Sequence, residues 1–352
     1  MTRILIDGRL LTDNPTGISR YTREIIQALS EKYGQYHITV LVSKNLSFKP
    51  DCHVIETKLK PYNPLHFFLF PFFINRVEFS IYYSTFYSGL YFLKAGRKQI
   101  LTVHDLMYLR IEKYFSDSVL WNWLSKVLMD AIVRLSLRAS DLVVSVSQTT
   151  QKDVKEFFHQ DSVVIGEGVN QLEEKPTEAA QTLKRWNLEK EKFFLYVGNF
   201  RKQKNTDFLL EAFVRSNSPH HLVMVGAWEK LQPQQPNIIF TGVLQDHEIQ
   251  ALYKNCLAFV LPSLYEGFGL SILEAYTAGA RVFTSNRGAL KEFSDLKIKY
   301  FSPNNLNELI ILLQDAENIT KQNKNDIGHV RQTYSWKRQT DQLLESISSL
   351  NS

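Results

Sequence analysis

Cysteines and long hydrophobic runs are both scarce in this chain. Of its 352 residues only two are cysteines, Cys52 and Cys256. They lie far apart and outside any metal-ligand spacing, which excludes a disulfide framework and a zinc site and fits a reducing cytoplasm. The most apolar stretch, Pro61 to Tyr91, is interrupted by Pro64, Pro71, Asn75, Arg76 and Glu78, so no run is long enough to span a bilayer. Met1 to Asp7 leads directly into a strand-like pattern, without the basic and apolar segments of a secretory signal; a cytoplasmic protein is expected. No Asp-x-Asp pair is present, and a metal is therefore not expected. Charge of either sign is also modest. A net charge of +5 suits phosphate-bearing ligands or an anionic membrane surface but is too small to imply nucleic acid.

The composition is otherwise that of a globular protein, with 44% hydrophobic and 22% charged residues. The length suits two domains of roughly 150 to 180 residues. Short β-branched or apolar runs alternate with longer helical patterns, the signature of parallel α/β units. In the first half, Arg3 to Ile6, His37 to Val42, Ile81 to Tyr83, Gln99 to Val103 and Leu142 to Ser145 read as strands, with helices over Arg20 to Lys32 and Val119 to Leu137. Phe193 to Val197, His221 to Val225, Ile238 to Thr241, Ala258 to Leu261 and Ala280 to Thr284 repeat the pattern. The charged, Pro176-containing segment Glu173 to Glu191 reads as the exit of a linker. The expected organisation is a Rossmann-like domain over 1–168, a second over 169–330, and a final helix in 331–352 returning toward the first. Open parallel sheets bind ligands beyond the carboxyl ends of their strands, so two facing sheets imply one cleft.

The densest local pattern is Pro262-Ser263-Leu264-Tyr265-Glu266-Gly267-Phe268-Gly269-Leu270, continuing to Glu274-Ala275. It follows a predicted strand and opens a predicted helix. With the helix starting near Gly269, Glu266 stands in the loop and Glu274 about one and a half turns inside, so both carboxylates can face one site. Gly267 and Gly269 permit close backbone approach, and the free N–H groups of Phe268 to Leu270 form a natural anion site that suits a diphosphate. Each glutamate alone reads as an ordinary helix-entry or solvated acid; the combination with the glycines does not.

This pattern resembles the motif of the retaining family 4 glycosyltransferases, the group 1 glycosyl transferases of GT-B fold, in the style of bacterial surface-polysaccharide enzymes. The similarity runs from Thr16-Gly17-Ile18-Ser19-Arg20-Tyr21 through His104-Asp105 to Tyr300-Phe301-Ser302-Pro303. It implies an α/β GT-B protein with two facing Rossmann-like domains. Glu274 would hold ribose hydroxyls, Glu266 donor-sugar hydroxyls, and the amides of Phe268, Gly269 and Leu270 would approach sugar and phosphates. Gly17 would let backbone approach the diphosphate, His104 would contact the donor sugar rather than act as general base, and Val243 and Leu244 would lie against the nucleobase.

Tyr196-Val197-Gly198-Asn199-Phe200-Arg201-Lys202-Gln203-Lys204 places three cations after a strand. Fixed cations stabilise the charge that grows on a departing diphosphate without a metal, and Lys204 matches the family's diphosphate lysine. Asn199 stands where the family carries arginine, leaving Arg201 or Lys202 to take that place. Glu167 likewise replaces the asparagine of the family's hinge.

The resemblance implies hexosyl transfer with retention from a nucleoside diphosphate sugar of the mannose, rhamnose or glucose class, with no cofactor, to a saccharide acceptor that is lipid-linked. The alternatives are a sugar-nucleotide epimerase of the same fold and a noncatalytic scaffold partner. The aromatic run from Pro61 to Phe92, beside Arg76, Lys94, Arg97 and Lys98, and the pair Trp121 and Trp123 before Lys126, Arg134 and Arg138, read either as core or as a peripheral membrane patch.

Overall fold

The computed structural model describes residues 2–13, 17–31, 36–44, 46–47, 50–59, 61, 64–91, 93–169, 176–228 and 235–350. Thr16 and Phe92 thus lie outside the described residues. The chain forms two units, Met1–Gly168 with Ser335–Ser352, and Val169–Tyr334.

In the first unit, β1 (Thr2–Asp7), α1 (Gly17–Ser30), β2 (Tyr36–Ser43), β3 (His53–Thr57), α2 (Pro64–Ile74), β4 (Ile81–Ser84), β5 (Lys98–Val103), α3 (Met107–Arg110), α4 (Val119–Arg138), β6 (Leu142–Ser145), α5 (Gln148–Phe158) and β7 (Val163–Val164) follow one another. Among the described residues the strands form one parallel sheet in the order β3-β2-β1-β4-β5-β6-β7. The register pairs Ile6 with Tyr83 and Tyr83 with Ile100 on one face, and Leu5 with Tyr82 on the other. The first face is covered by α1, through Tyr21, Ile25 and Leu29, and by the C-terminal helix Trp336–Leu350, through Leu343 and Ile347. The opposite face is covered by α2, through Phe70 and Ile74, and by α4, through Met129, Val133 and Leu137. Both sides of the sheet are sealed, as its run of fully buried β-branched and aromatic residues requires.

Asp7 ends β1 as a buried carboxylate. Arg9 Nε and Nη2 donate to it at 2.8 and 2.5 Å, and Tyr82 Oη donates at 2.5 Å. Burial alone would push the Asp7 carboxyl up; the adjoining guanidinium and these hydrogen bonds outweigh it and hold the group below the usual carboxylate range.

The second unit runs α6 (Pro176–Arg185), β8 (Phe193–Val197), α7 (Thr206–Ser216), β9 (His221–Val225), β10 (Ile238–Gly242), α8 (Asp246–Asn255), β11 (Ala258–Leu261), α9 (Leu270–Thr277), β12 (Arg281–Ser285), β13 (Lys299–Phe301), α10 (Leu306–Gln314) and α11 (Lys324–Thr333). Its strands are also parallel, in the order β10-β9-β8-β11-β12-β13. In both sheets the order reverses beside the first strand, between β1 and β4 and between β8 and β11. Doubly wound sheets open a ligand crevice at such a reversal.

The segment expected to be a linker exit instead carries α6. Pro176 occupies its first position, where an N–H is dispensable, and its buried side includes Ala179 and Thr182, too small and polar to give a visible hydrophobic period. Most of the described aromatic rings between Phe70 and Phe86 are core: Phe70, Phe79, Tyr82, Tyr83 and Phe86 are buried. Arg97 lies over the Phe79 ring at 4.1 Å and donates to Val77 O, and Lys98 pairs with Asp141. Of the two readings of this run, core or membrane patch, these buried rings follow the first, with Arg97 and Lys98 engaged at its edge.

Candidate functional site

In the second unit the chain leaving β8 and the chain leaving β11 meet at the strand reversal. After β8 a single 3₁₀ turn, Lys202–Lys204, precedes α7. Gln203 O accepts from Leu264 N at 2.7 Å, clamping this turn to the loop after β11. The clamp puts Lys204 Nζ 2.6 Å from Glu266 Oε1, with the two side chains only 17% and 10% exposed. Ser263 Oγ donates to the same carboxylate oxygen at 2.5 Å. Glu266 is thus held from two sides, and Lys204 is a preorganised cation with little water around it.

Gly269 caps α9 with φ of 109°, in the region that favours glycine. A Cβ there would also meet Leu290 Cδ2 at 2.9 Å. Its glycine is therefore required by the turn and by packing on Leu290 and Phe293, whatever ligand approaches. Phe268 is buried edge-on against Phe293 and Tyr334, so it contributes its backbone, not its ring. Gly267 is buried within the same loop and Leu270 opens the helix. Glu274 lies one turn in, where its Oε2 accepts from Tyr253 Oη at 3.4 Å.

Asn199 is exposed; its carbonyl accepts from Tyr196 Oη at 2.6 Å and its side chain from Arg201 N at 3.4 Å. Arg201 and Lys202 are both exposed beside it. Gly226, after β9, has φ of 140°, and a Cβ on it would fall 2.0 Å from Gly198 O; only glycine allows these strand ends so close. Beyond β10, Val243 is 70% exposed while Leu244 is buried.

In the first unit, Gly17 opens α1, and a Cβ there would meet nothing within 4 Å among the described residues. One turn on, Tyr21 stands edge-on to His104, ring centroids 4.7 Å apart. His104 is buried, with Nε2 2.8 Å from Thr85 O and Nδ1 3.1 Å from Glu167 Oε1. A carbonyl only accepts, so Nε2 donates to Thr85 O. Both ring nitrogens are engaged: a sugar hydroxyl reaching the imidazole must displace Thr85 O or Glu167.

Residues 15–171 match the Glycosyltransferase Family 4 domain model and residues 179–326 the Glycosyl transferases group 1 model. The chain belongs to the group 1 glycosyl transferases. Over 244 residues the chain is 28% identical to the serotype-specific mannosyltransferase WbdA of Escherichia coli, covering 62% of this chain and 29% of that one. It is 26% identical over 215 residues to the O-antigen chain mannosyltransferase B of Escherichia coli, 55% of each chain. The chain thus spans between about three tenths and about half of the length of these relatives. Its fold is that of Anabaena HepE, solved in complex with UDP-glucose, with a TM-score of 0.72, 14% identity, and coverage of 99% and 100%. Its architecture is therefore GT-B.

Several residues at this glycosyl transferase's site carried no signal in sequence. Ser263, Gln203 and Tyr253 act through contacts 3, 61 and 21 positions away in the chain. Phe200 and Trp228, past the ends of β8 and β9, pack with Phe240 of β10, with ring centroids 4.2 Å (Phe200 to Trp228) and 4.7 Å (Trp228 to Phe240) apart. Only the glycine beside Trp228 hinted that these strand ends converge.

Proposed function

We propose that this protein is a retaining, metal-independent hexosyltransferase. It would move a hexose, mannose first among the mannose, rhamnose and glucose class, from a nucleoside diphosphate donor to a lipid-linked saccharide at the cytoplasmic face of a membrane. The observation that carries the reading is the Lys204–Glu266–Ser263 cluster beside the α9 amino terminus. A diphosphate seated at the helix start gains from its N–H groups and dipole. Lys204, already fixed, offsets the negative charge that develops as the sugar departs, which is where a preorganised cation matters most.

Glu266 then has two tasks: it orients Lys204 in the empty site and accepts hydrogen bonds from sugar hydroxyls in the filled one. Glu274 accepts from ribose hydroxyls. The leaving phosphate oxygen takes the acceptor's proton on the face it departs from, in keeping with the absence of an open imidazole nitrogen at His104. The mannosyltransferases among the relatives support mannose as donor sugar, and the nucleotide complex of HepE supports a nucleoside diphosphate carrier.

A donor bound only by the folded protein raises its melting temperature, by about 2.7 kcal/mol of added stability at a hundredfold excess over Kd. A screen of GDP-mannose, UDP-glucose and dTDP-rhamnose should single out one; no shift with any nucleotide sugar would refute the donor assignment.

A further inference from the structure

The charges at the strand ends of the second unit do not yet balance a diphosphate. Lys204 is paired with Glu266 at 2.6 Å, so the two together carry no net charge, and Glu274 adds a further carboxylate. A diphosphate is multiply anionic, and Asn199 stands where an arginine is expected. Holding such a ligand with side chains and helix-start amides calls for a cation that no carboxylate already neutralises.

The sheet order shows where one lies. Strands β8, β11 and β12 are neighbours, so the loop that carries Glu266 has the Lys204 turn on one flank and the turn after β12 on the other. This second flank is tied down as the first is. Thr284 Oγ1 donates to Leu261 O at 3.1 Å, and Ser285 Oγ donates to Ser263 O. Gly288, with φ of 52°, lies so close that a Cβ on it would stand 3.3 Å from Glu266 O; the left-handed backbone and the close approach both favour glycine. Arg287 immediately precedes it, exposed and extended at the head of the 3₁₀ turn Gly288–Phe293. Among the described residues its guanidinium has no hydrogen bond and no ion pair. Arg201 is unpaired in the same sense, but it heads the turn of Lys204 itself and would add charge only to the flank that already has a cation.

We infer that Arg287 is the second diphosphate cation of this site, taking over from the arginine that Asn199 replaces: it binds the donor diphosphate from the β12 side while Lys204 binds it from the β8 side. The inference rests on the transfer reading for the identity of the ligand. A guanidinium presents paired N–H donors that match two phosphate oxygens at once. Arg287 also gives up no protein partner when it turns to the ligand, whereas Lys204 shares its charge with Glu266.

The test is calorimetric titration of the full chain with inorganic pyrophosphate and with GDP, UDP and dTDP. Expected are pyrophosphate binding that the tightest of the three nucleotides competes away, and a loss of about tenfold or more in both affinities in Arg287→Ala. Arg287→Lys, which keeps the charge and loses the fork, should fall between the two, and Arg201→Ala should stay near the parent. Melting of Arg287→Ala without ligand should match the parent, and its affinity should fall less steeply with added KCl, which a structural role would not cause. Parental affinity in Arg287→Ala, an unchanged salt dependence, a larger loss in Arg201→Ala, or pyrophosphate that no nucleotide displaces would overturn the inference and leave the transfer reading standing. No binding of any of these ligands to the parent would overturn both.

Discussion

Replacing Lys204 by alanine separates the two roles that the structure gives this residue. The ammonium lies 2.6 Å from Glu266 with both side chains largely shielded from water, so the discount that applies to exposed ion pairs is small. Removing it leaves the Glu266 carboxylate with Ser263 as its one remaining partner among the hydrogen bonds described above. A hydrogen bond to a charged group contributes about 1.5–3 kcal/mol. For a unit of this size about 1 kcal/mol corresponds to 2–4 °C, so melting should fall by roughly 3–12 °C. The effect on chemistry should be larger. Losing one fixed donor to a developing oxyanion costs about a hundred- to a thousandfold in kcat, read at saturating donor so that weakened binding does not enter. Melting by calorimetry and kcat on the same preparation provide the assay. A lower melting temperature with kcat within threefold of the parent would make Lys204 a structural partner of Glu266 and nothing more.

Glu274→Gln should weaken donor binding by about 1–2 kcal/mol, or five- to thirtyfold, because a charge-assisted hydrogen bond to ribose becomes a neutral one; calorimetric titration with the nucleoside diphosphate checks this, and unchanged affinity would remove Glu274 from the site. Asp7→Asn should destabilise the first unit by about 3–5 kcal/mol, since Arg9 is left as a buried unpaired cation. Because the Asp7 carboxyl lies below its unfolded value, its stabilisation is present above the ordinary carboxylate range and disappears as pH falls through the depressed value. Acid unfolding of the parent should therefore steepen at low pH and lose that component in Asp7→Asn.

The alternation of strands and helices was legible because both sheets are parallel and buried on two sides, which writes strands such as Phe193–Val197 and Ala258–Leu261 as unbroken apolar runs. The edge strand Ile238–Gly242 was legible too, but three other edge strands were not. His53–Thr57, Val163–Val164 and Lys299–Phe301 are short and only partly buried, so their sequence carries little apolar content. The Glu266 motif was visible because its glycines and carboxylates are contiguous. The clamp from Gln203 to Leu264 and the Ser263 bridge depend on two loops meeting at the β8–β11 reversal, which a linear pattern does not record. The aromatic run Pro61 to Phe92 could be read as core or as surface: its described rings mostly fill the layer beneath α2, while large exposed apolar side chains concentrate on α4, whose two apolar sides cancel in a helical-period reading.

The most direct measurement of the central claim is transfer itself. Purified protein, GDP-mannose and a lipid-linked saccharide acceptor, incubated with and without EDTA, should give a glycosylated lipid whose new linkage has the same anomeric configuration as the donor, at the same rate in both samples. No transfer from any hexose nucleotide, an inverted linkage, or a complete loss in EDTA restored by added metal would contradict the account.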